Sequence, residues 1–274
     1  MSDTKPKTIQ AVLSVARKEY ITPHYIRVYL TGADVQRFAN TTVGVNNKIL
    51  VPPKGVNEIF FPSFDYEKKE WNHPEPGVRP FVRTYTHRGI DTQRNELWID
   101  FVAHGEEGPA SAWALKAEQG DKLGVLMKDG KSELYAPAQS YVLVGDATAL
   151  PVLSAILEDL PETAVGNCII EVPEEADIQQ LHTKASVTFE WLTNAHPEKG
   201  SRLADAVKEL QLPQTDRFAY VAAEFSSVKE IRNYLRKEKG WNREELYAYS
   251  YWKAGVAEDK STADRQHEKN ALDS

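Results

Sequence analysis

One cysteine, Cys168, and two methionines are all the sulfur in the 274 residues. A lone thiol permits no intrachain disulfide, no cysteine-ligated iron–sulfur cluster and no all-cysteine zinc site. Redox chemistry on this chain therefore needs a bound organic cofactor or a metal that arrives with the substrate. No apolar run approaches the roughly 20 residues of a membrane helix, and the opening MSDTKPKTIQ lacks the apolar segment of a secretory signal. The expectation is a cytoplasmic protein with no membrane insertion. Basic residues are in the minority, 33 against 40 acidic, for a formal net charge of -7. That balance argues against a broad nucleic-acid face while leaving room for a local basic pocket. No Ser/His/Asp triad, Cys/His pair or His-Glu-x-x-His spacing appears, so nothing points to a hydrolase.

What is present divides in two. Up to about Leu134 the chain carries short alternating runs broken by turn signals, which predicts an antiparallel barrel. Tyr25, Ile26, Val28 and Leu30 read as a strand, and Lys48 to Val51 as another, stopped by Pro52-Pro53. Asn57 to Val78, rich in Pro, Trp, Tyr and charge, reads as a surface loop or flap. From Ser140 the pattern changes to buried runs alternating with helix-like segments: Tyr141–Val144, a helix from Ala149 to Leu160, then strands at Ile169–Val172, Ala185–Leu192, Phe218–Ala222 and Leu246–Tyr251, with helices at Leu203–Leu210 and Val228–Glu238. Such alternation predicts a parallel sheet covered on both faces. The expected organisation is a β-barrel domain over 1–137, an α/β nucleotide-binding-like domain over 138–255, and a charged, mobile tail over 256–274.

The most informative stretch is Arg83 to Ser111. In an extended segment Arg83 and Tyr85 share one face while Thr86 and Arg88 share the other. A strand follows over Asn95 to Val102, and Gly108-Pro109-Ala110-Ser111 then opens a helix, whose free N–H groups favour an anion such as a pyrophosphate. The Arg-x-Tyr-Thr-x-Arg string, this strand and the His104-Gly105 and Gly108–Ser111 loop together resemble the flavin-binding core of the siderophore-interacting proteins, ferric-siderophore reductases related to the ferredoxin-NADP reductases. The resemblance implies FAD as cofactor, with Tyr85 on the ring face, Thr86 at the N5 edge, Arg83 at the pyrophosphate and the backbone of Gly108, Pro109, Ala110 and Ser111 at the phosphates. Thr84, Phe101 and Val102 are implied as neighbours of the same cofactor. Arg88 and His104 also fall on matching positions, although His104 beside a glycine turn equally suits a structural cap.

Two further motifs match the family in the expected order, over a likeness that runs from about Val12 to Gly255. Gly145-Asp146-Ala147-Thr148-Ala149-Leu150-Pro151 stands where a dinucleotide-binding turn would offer Gly-x-Gly-x-x-Gly. A carboxylate there repels phosphate, so tight nicotinamide-nucleotide binding is not expected. The resemblance places Asp146, Thr148 and Ala149 beside the flavin; the alternative is a plain strand-to-helix turn capped by Thr148. Tyr251-Trp252-Lys253-Ala254-Gly255 is the third motif, with Trp252 implied as a ring covering the flavin. Family position further implies Lys48, Lys128 and Lys253 as the cationic dock for an anionic ferric siderophore, of catecholate or hydroxamate type, although Lys128 also fits an ordinary hairpin turn. The function expected is an FAD-dependent ferric-siderophore reductase supplied by NAD(P)H or reduced ferredoxin. The alternatives are a general flavin or quinone reductase and a siderophore carrier that does not turn over.

Overall fold

The structure, a computed structural model, describes residues 7–65 and 67–256. The expected mobile tail, except Val256, lies outside the described residues, as does Tyr66 of the insertion. The chain divides into two compact units, Met1–Ser132 and Glu133–Ser274.

In the first unit the strands are β1 (Thr8–Thr22), β2 (Tyr25–Thr31), β3 (Asn46–Val51), β4 (Ser63–Asp65), β5 (Glu70–Asn72), β6 (Phe81–Thr86), β7 (Gly89–Asp91), β8 (Glu96–Val102) and β9 (Lys122–Lys128), with helix α1 (Pro109–Lys116) between β8 and β9. Seven of them form one antiparallel sheet in the order β6-β3-β9-β1-β2-β8-β7. Alternation decides which side faces inward. Ile9, Ala11, Leu13 and Val15 of β1 meet Val28 and Leu30 of β2, Leu97, Ile99 and Phe101 of β8, and Val125 and Met127 of β9 in a single core. At one corner the chain changes partners within two residues: the His87 N–H donates to Val45 O at 2.8 Å and the Arg88 N–H to Trp98 O at 3.2 Å. The strand thereby leaves β3 and joins β8, which draws the two ends of the sheet together in the manner of a barrel. Opposite His87, Gly44 adopts φ 98° and donates its N–H to His87 O at 2.7 Å, a bulge that glycine makes without a Cβ penalty.

Helix α1 buries Ala110 and Ala114 against this core, with Trp113 and Leu115 packed on it. Lys18 of β1 closes its far end by donating to the carbonyls of Ala114 and Leu115, at 3.3 and 2.7 Å. Among the described residues no side chain caps the helix start at Pro109.

The second unit contains β10 (Ser140–Asp146), α2 (Leu150–Asp159), β11 (Val165–Val172), β12 (Ser186–Thr193), α3 (Leu203–Glu209), β13 (Arg217–Glu224), α4 (Phe225–Asn233) and β14 (Leu246–Trp252). All five strands are parallel, in the order β12-β11-β10-β13-β14, the doubly wound arrangement expected from the sequence. Two details differ. The helix expected from Val228 begins at Phe225 and gives way at Tyr234 to a π-helical turn, Tyr234–Glu238. Between β11 and β12 the described crossover contains a 3-10 turn, Glu175–Asp177, and no α-helix. Helix α2 sits close on β10 because Gly145 lacks a side chain: a Cβ there would lie 2.5 Å from Ala149 Cβ and 2.9 Å from Ala222 O.

Candidate functional site

Cross-strand register arranges the first unit's residues. Tyr85 stands opposite Asn47, Thr84 opposite Lys48 and Arg83 opposite Ile49, so Arg83 and Tyr85 share a face, as alternation predicts, while Thr84 turns to the other. Tyr85 packs on Phe101 with ring centroids 4.6 Å apart, and Phe101 on Trp113 of α1 at 5.7 Å. Phe101 is fully enclosed, so its ring acts as the support beneath Tyr85, and Val102 beside it is half-buried. Arg83 is also half-buried and donates from Nη1 to its neighbour Val82 O at 2.8 Å. Thr86 is buried.

At the start of α1 the cap is Gly108, followed by Pro109 at the first helical position. Glycine has no side chain to occupy the helix's first donors and proline has no N–H, so the N–H groups of Ala110 and Ser111 are the ones this turn presents. The Ser111 hydroxyl is committed elsewhere: it donates to Gly105 O at 2.7 Å and accepts from the His104 N–H at 3.1 Å. It shapes the loop while its backbone N–H keeps the helix-start position. His104 is exposed, with its imidazole edge 3.0 Å from where a Gly108 Cβ would sit.

Arg88 lies by a buried ion pair that the sequence did not reveal. Asp100 accepts two bonds from Arg27, at 2.7 and 2.8 Å, and Arg88 Nε stands 3.9 Å from the same carboxylate.

On the outer face of the sheet, Lys48 donates to Thr84 Oγ1 at 2.5 Å and stands opposite Leu126 of β9. Lys128 is two residues further along β9 on that face and is exposed. The hairpin-turn alternative for Lys128 is corrected here: it pairs with Thr8, and the next N–H, of Asp129, continues the ladder to Lys7 O at 2.8 Å.

In the second unit Asp146 is the residue on which the crest of the sheet depends. Its Oδ1 accepts from the Thr148 N–H at 2.9 Å and the Thr148 hydroxyl at 2.5 Å; its Oδ2 accepts from the Glu224 N–H at 3.0 Å and from Trp252 Nε1 at 2.7 Å. Asp146 is therefore the cap of this turn, and Thr148 a donor to it. Burial pushes its carboxyl above the ordinary carboxylate value, and the bonds from Thr148 and Trp252 oppose that rise. Ala149 is fully buried. Lys253 holds its ammonium 4.9 Å from the Phe225 ring.

Two carboxylates that sequence reasoning missed stand with Asp146 on neighbouring strand ends. Glu171 of β11, opposite Asp146 in register, accepts from Asn194 Nδ2 at 3.1 Å, the Ser201 hydroxyl at 3.0 Å and the Arg202 N–H at 3.3 Å. Glu224 of β13 accepts from the N–H groups of Ser226, at 2.5 Å, and Ala254, at 3.2 Å. The turn before α2, the residue before α3 and the start of α4 are thus each met by a buried carboxylate of the chain itself. Their only sequence signal was an acidic residue at or next to the end of an apolar strand.

Comparison with known proteins agrees with this geometry. Residues 14–131 match the siderophore-interacting FAD-binding domain model and residues 138–255 the siderophore-interacting protein model. Ferric vibriobactin reductase ViuB of Vibrio cholerae is 34% identical over 261 residues, covering 94% of this chain and 95% of its own. Siderophore-interacting protein SipS from Aeromonas hydrophila has 30% identity and a TM-score of 0.79 over 97% of this chain and 98% of its own. Ferredoxin NADP+ reductase from Neisseria gonorrhoeae, crystallised with bound FAD and NADP, shares the fold at 14% identity, with a TM-score of 0.56 over 88% of this chain and 98% of its own. The cofactor is FAD, and the described residues suit it: an aromatic ring backed by Phe101, a neighbouring guanidinium, and a helix start with backbone donors to spare. With both halves of the chain matched in order and the full-length likeness to ViuB, this protein belongs to the siderophore-interacting protein family, on the ferredoxin-NADP reductase fold.

Proposed function

We propose that the chain is a cytoplasmic FAD-dependent ferric-siderophore reductase that passes electrons from reduced flavin to Fe(III) held in an anionic siderophore. The observation that carries this reading is the combination, within one unit, of the Arg83–Tyr85 face with the open start of α1. In this reading Tyr85 offers its ring to the isoalloxazine, Thr86 the N5 edge, Arg83 and the Ala110 and Ser111 N–H groups the pyrophosphate, and Lys48 and Lys128 the anionic chelate. In the second unit, Trp252 is held in place by Asp146. FAD, when bound, supplies the electrons. Iron(II) holds hard oxygen ligands less tightly than iron(III), so one electron per iron suffices to loosen the chelate. The side chains bind and orient; none is needed as a nucleophile or proton carrier.

The test is anaerobic. The purified yellow protein is bleached by photoreduction and a ferric siderophore is added with an iron(II) trap present. Return of the oxidised flavin spectrum with two trapped Fe(II) per FAD is the expected result. Siderophore binding without spectral recovery identifies a carrier, and recovery with quinones but not ferric chelates identifies a general reductase; either outcome overturns the proposal.

A further inference from the structure

The insertion between β3 and β6 has a course that the reductase reading does not use. It leaves β3 at Val51 and returns at Phe81, residues that stand directly opposite each other, so a two-residue turn could have joined them. Instead the chain folds back over the outer face of the sheet. A Cβ at Gly124 would meet Ile59 Cγ2 at 2.7 Å, Leu50 Cβ at 2.8 Å and Phe61 Cζ at 3.3 Å. This accounts for a burial that alternation alone does not: Leu50 points outward with Lys48 yet is only 1% exposed. The cover is over the Leu50–Gly124 pair, and the next pair on the same face is Lys48–Leu126, about 6.7 Å along the strands. The apolar stem of the insertion therefore borders the Lys48–Thr84 contact.

Beyond this stem the insertion forms its own hairpin, β4 with β5. Trp71 lies against Phe64 edge-on, with centroids 5.3 Å apart, and is 58% exposed, with Phe60 at 39%. Exposing a tryptophan to this extent gains nothing for folding, and such a ring on a segment continuous with the stem over the Lys48 face is suited to a contact surface. The turn and the first residue of β5 carry Glu67, Lys68, Lys69 and Glu70, charges of both signs, so the hairpin offers ring surface more than a cation. Lys48 and Lys128 provide the positive charge on the face of the sheet that the stem covers.

We propose that the Phe60–Trp71 hairpin is a specificity element that stacks on the aryl rings of a ferric catecholate while Lys48 and Lys128 meet its negative charge, so that aryl-bearing anionic chelates are preferred to anionic chelates without rings. The inference rests on the ferric-chelate reading above and adds the discrimination to it. Phe64 acts through Trp71, whose orientation it supports.

Gallium(III) chelates, which bind like ferric ones but are not reduced, separate binding from turnover. Titration calorimetry on the FAD-loaded protein compares gallium tris(2,3-dihydroxybenzoate), an aryl polyanion, with gallium citrate, an anion without rings. Trp71→Ala should weaken the catecholate about threefold to tenfold and leave citrate within twofold, and Trp71→Phe should restore most of the loss. Lys48→Ala should weaken both. Catecholate affinity unchanged in Trp71→Ala, or lost equally for citrate, overturns the stacking role while leaving the reductase reading intact. A wild-type protein that binds neither chelate overturns both readings. Unchanged FAD content and circular dichroism in the variants exclude misfolding as the cause.

Discussion

The indole N–H of Trp252 is held at 2.7 Å by Asp146 Oδ2, across 106 residues of sequence. The same oxygen takes the Glu224 N–H, so one carboxylate ties together the ends of β10, β13 and β14. Asp146→Ala leaves buried donors unpaired and should destabilise the protein by about 2 to 4 kcal/mol. Chemical denaturation with tryptophan emission as the probe measures the cost, and Trp252→Phe combined with Asp146→Ala should show less than the sum of the two single changes.

Arg83→Ala should lower FAD affinity roughly tenfold to a hundredfold, the worth of one charge-assisted hydrogen bond at about 1.5 to 3 kcal/mol. Flavin retained after dialysis reports it. Full occupancy in the variant would remove Arg83 from the phosphate site.

Lys48→Ala should weaken ferric-siderophore binding by about 0.5 to 2 kcal/mol at low ionic strength, and the difference from wild type should shrink as salt is added. The rate at which a small donor reduces the flavin should not change. A loss that persists in molar salt would mean that Lys48 acts by packing and not by charge.

Weak nicotinamide-nucleotide binding is expected, with NADH and NADPH poorly distinguished. In a dinucleotide-binding sheet the helix starts at the crest receive a pyrophosphate; here Asp146 and Glu224 already accept from the N–H groups of Thr148, in the turn before α2, and Ser226, at the start of α4. Parallel anaerobic stopped-flow reduction by NADH, NADPH and reduced ferredoxin checks this. A submicromolar dissociation constant for NADPH would refute it.

His87 is fully buried, and among the described residues neither ring nitrogen has a hydrogen-bond partner. Burial, with Lys131 adding repulsion, lowers its pKa to about 4 from the ordinary 6.5. The unfolded chain therefore takes up a proton that the folded protein refuses, and stability falls as pH drops from about 7 toward 4, by about 2 to 3 kcal/mol from this residue. His87→Phe should flatten that part of the stability–pH curve, measured by urea unfolding at intervals of half a pH unit.

Local pattern made much of this protein legible before its structure. Arg83, Tyr85 and Thr86 could be sorted by face because alternation needs no knowledge of neighbouring strands. The strand read at Ile169–Val172 begins earlier, at Val165, because Gly166 and Asn167 interrupt the apolar run between Val165 and Cys168. What the sequence hid were contacts set by pairing between distant segments. Lys48 reaches Thr84 across 36 residues, a matter of register. Asp146 looked like a charge exposed in a turn because its partners lie on β13 and β14. The neighbour of Arg88 was hidden as well, because nothing local to Arg88 announces Asp100, 3.9 Å away on β8.

The pairing of Thr8 with Lys128 bears on how the chain is made. β1 can zip to β2 as soon as both emerge from the ribosome, but its other edge, and the edge of β3, wait for β9, the last strand of the first unit. Until then a nascent chain displays unpaired strand edges beside an unfinished core, the state most open to wrong pairing. Fragments that stop short of Lys122 would keep that state permanently, and should collect as insoluble protein where chains that include β9 remain in solution.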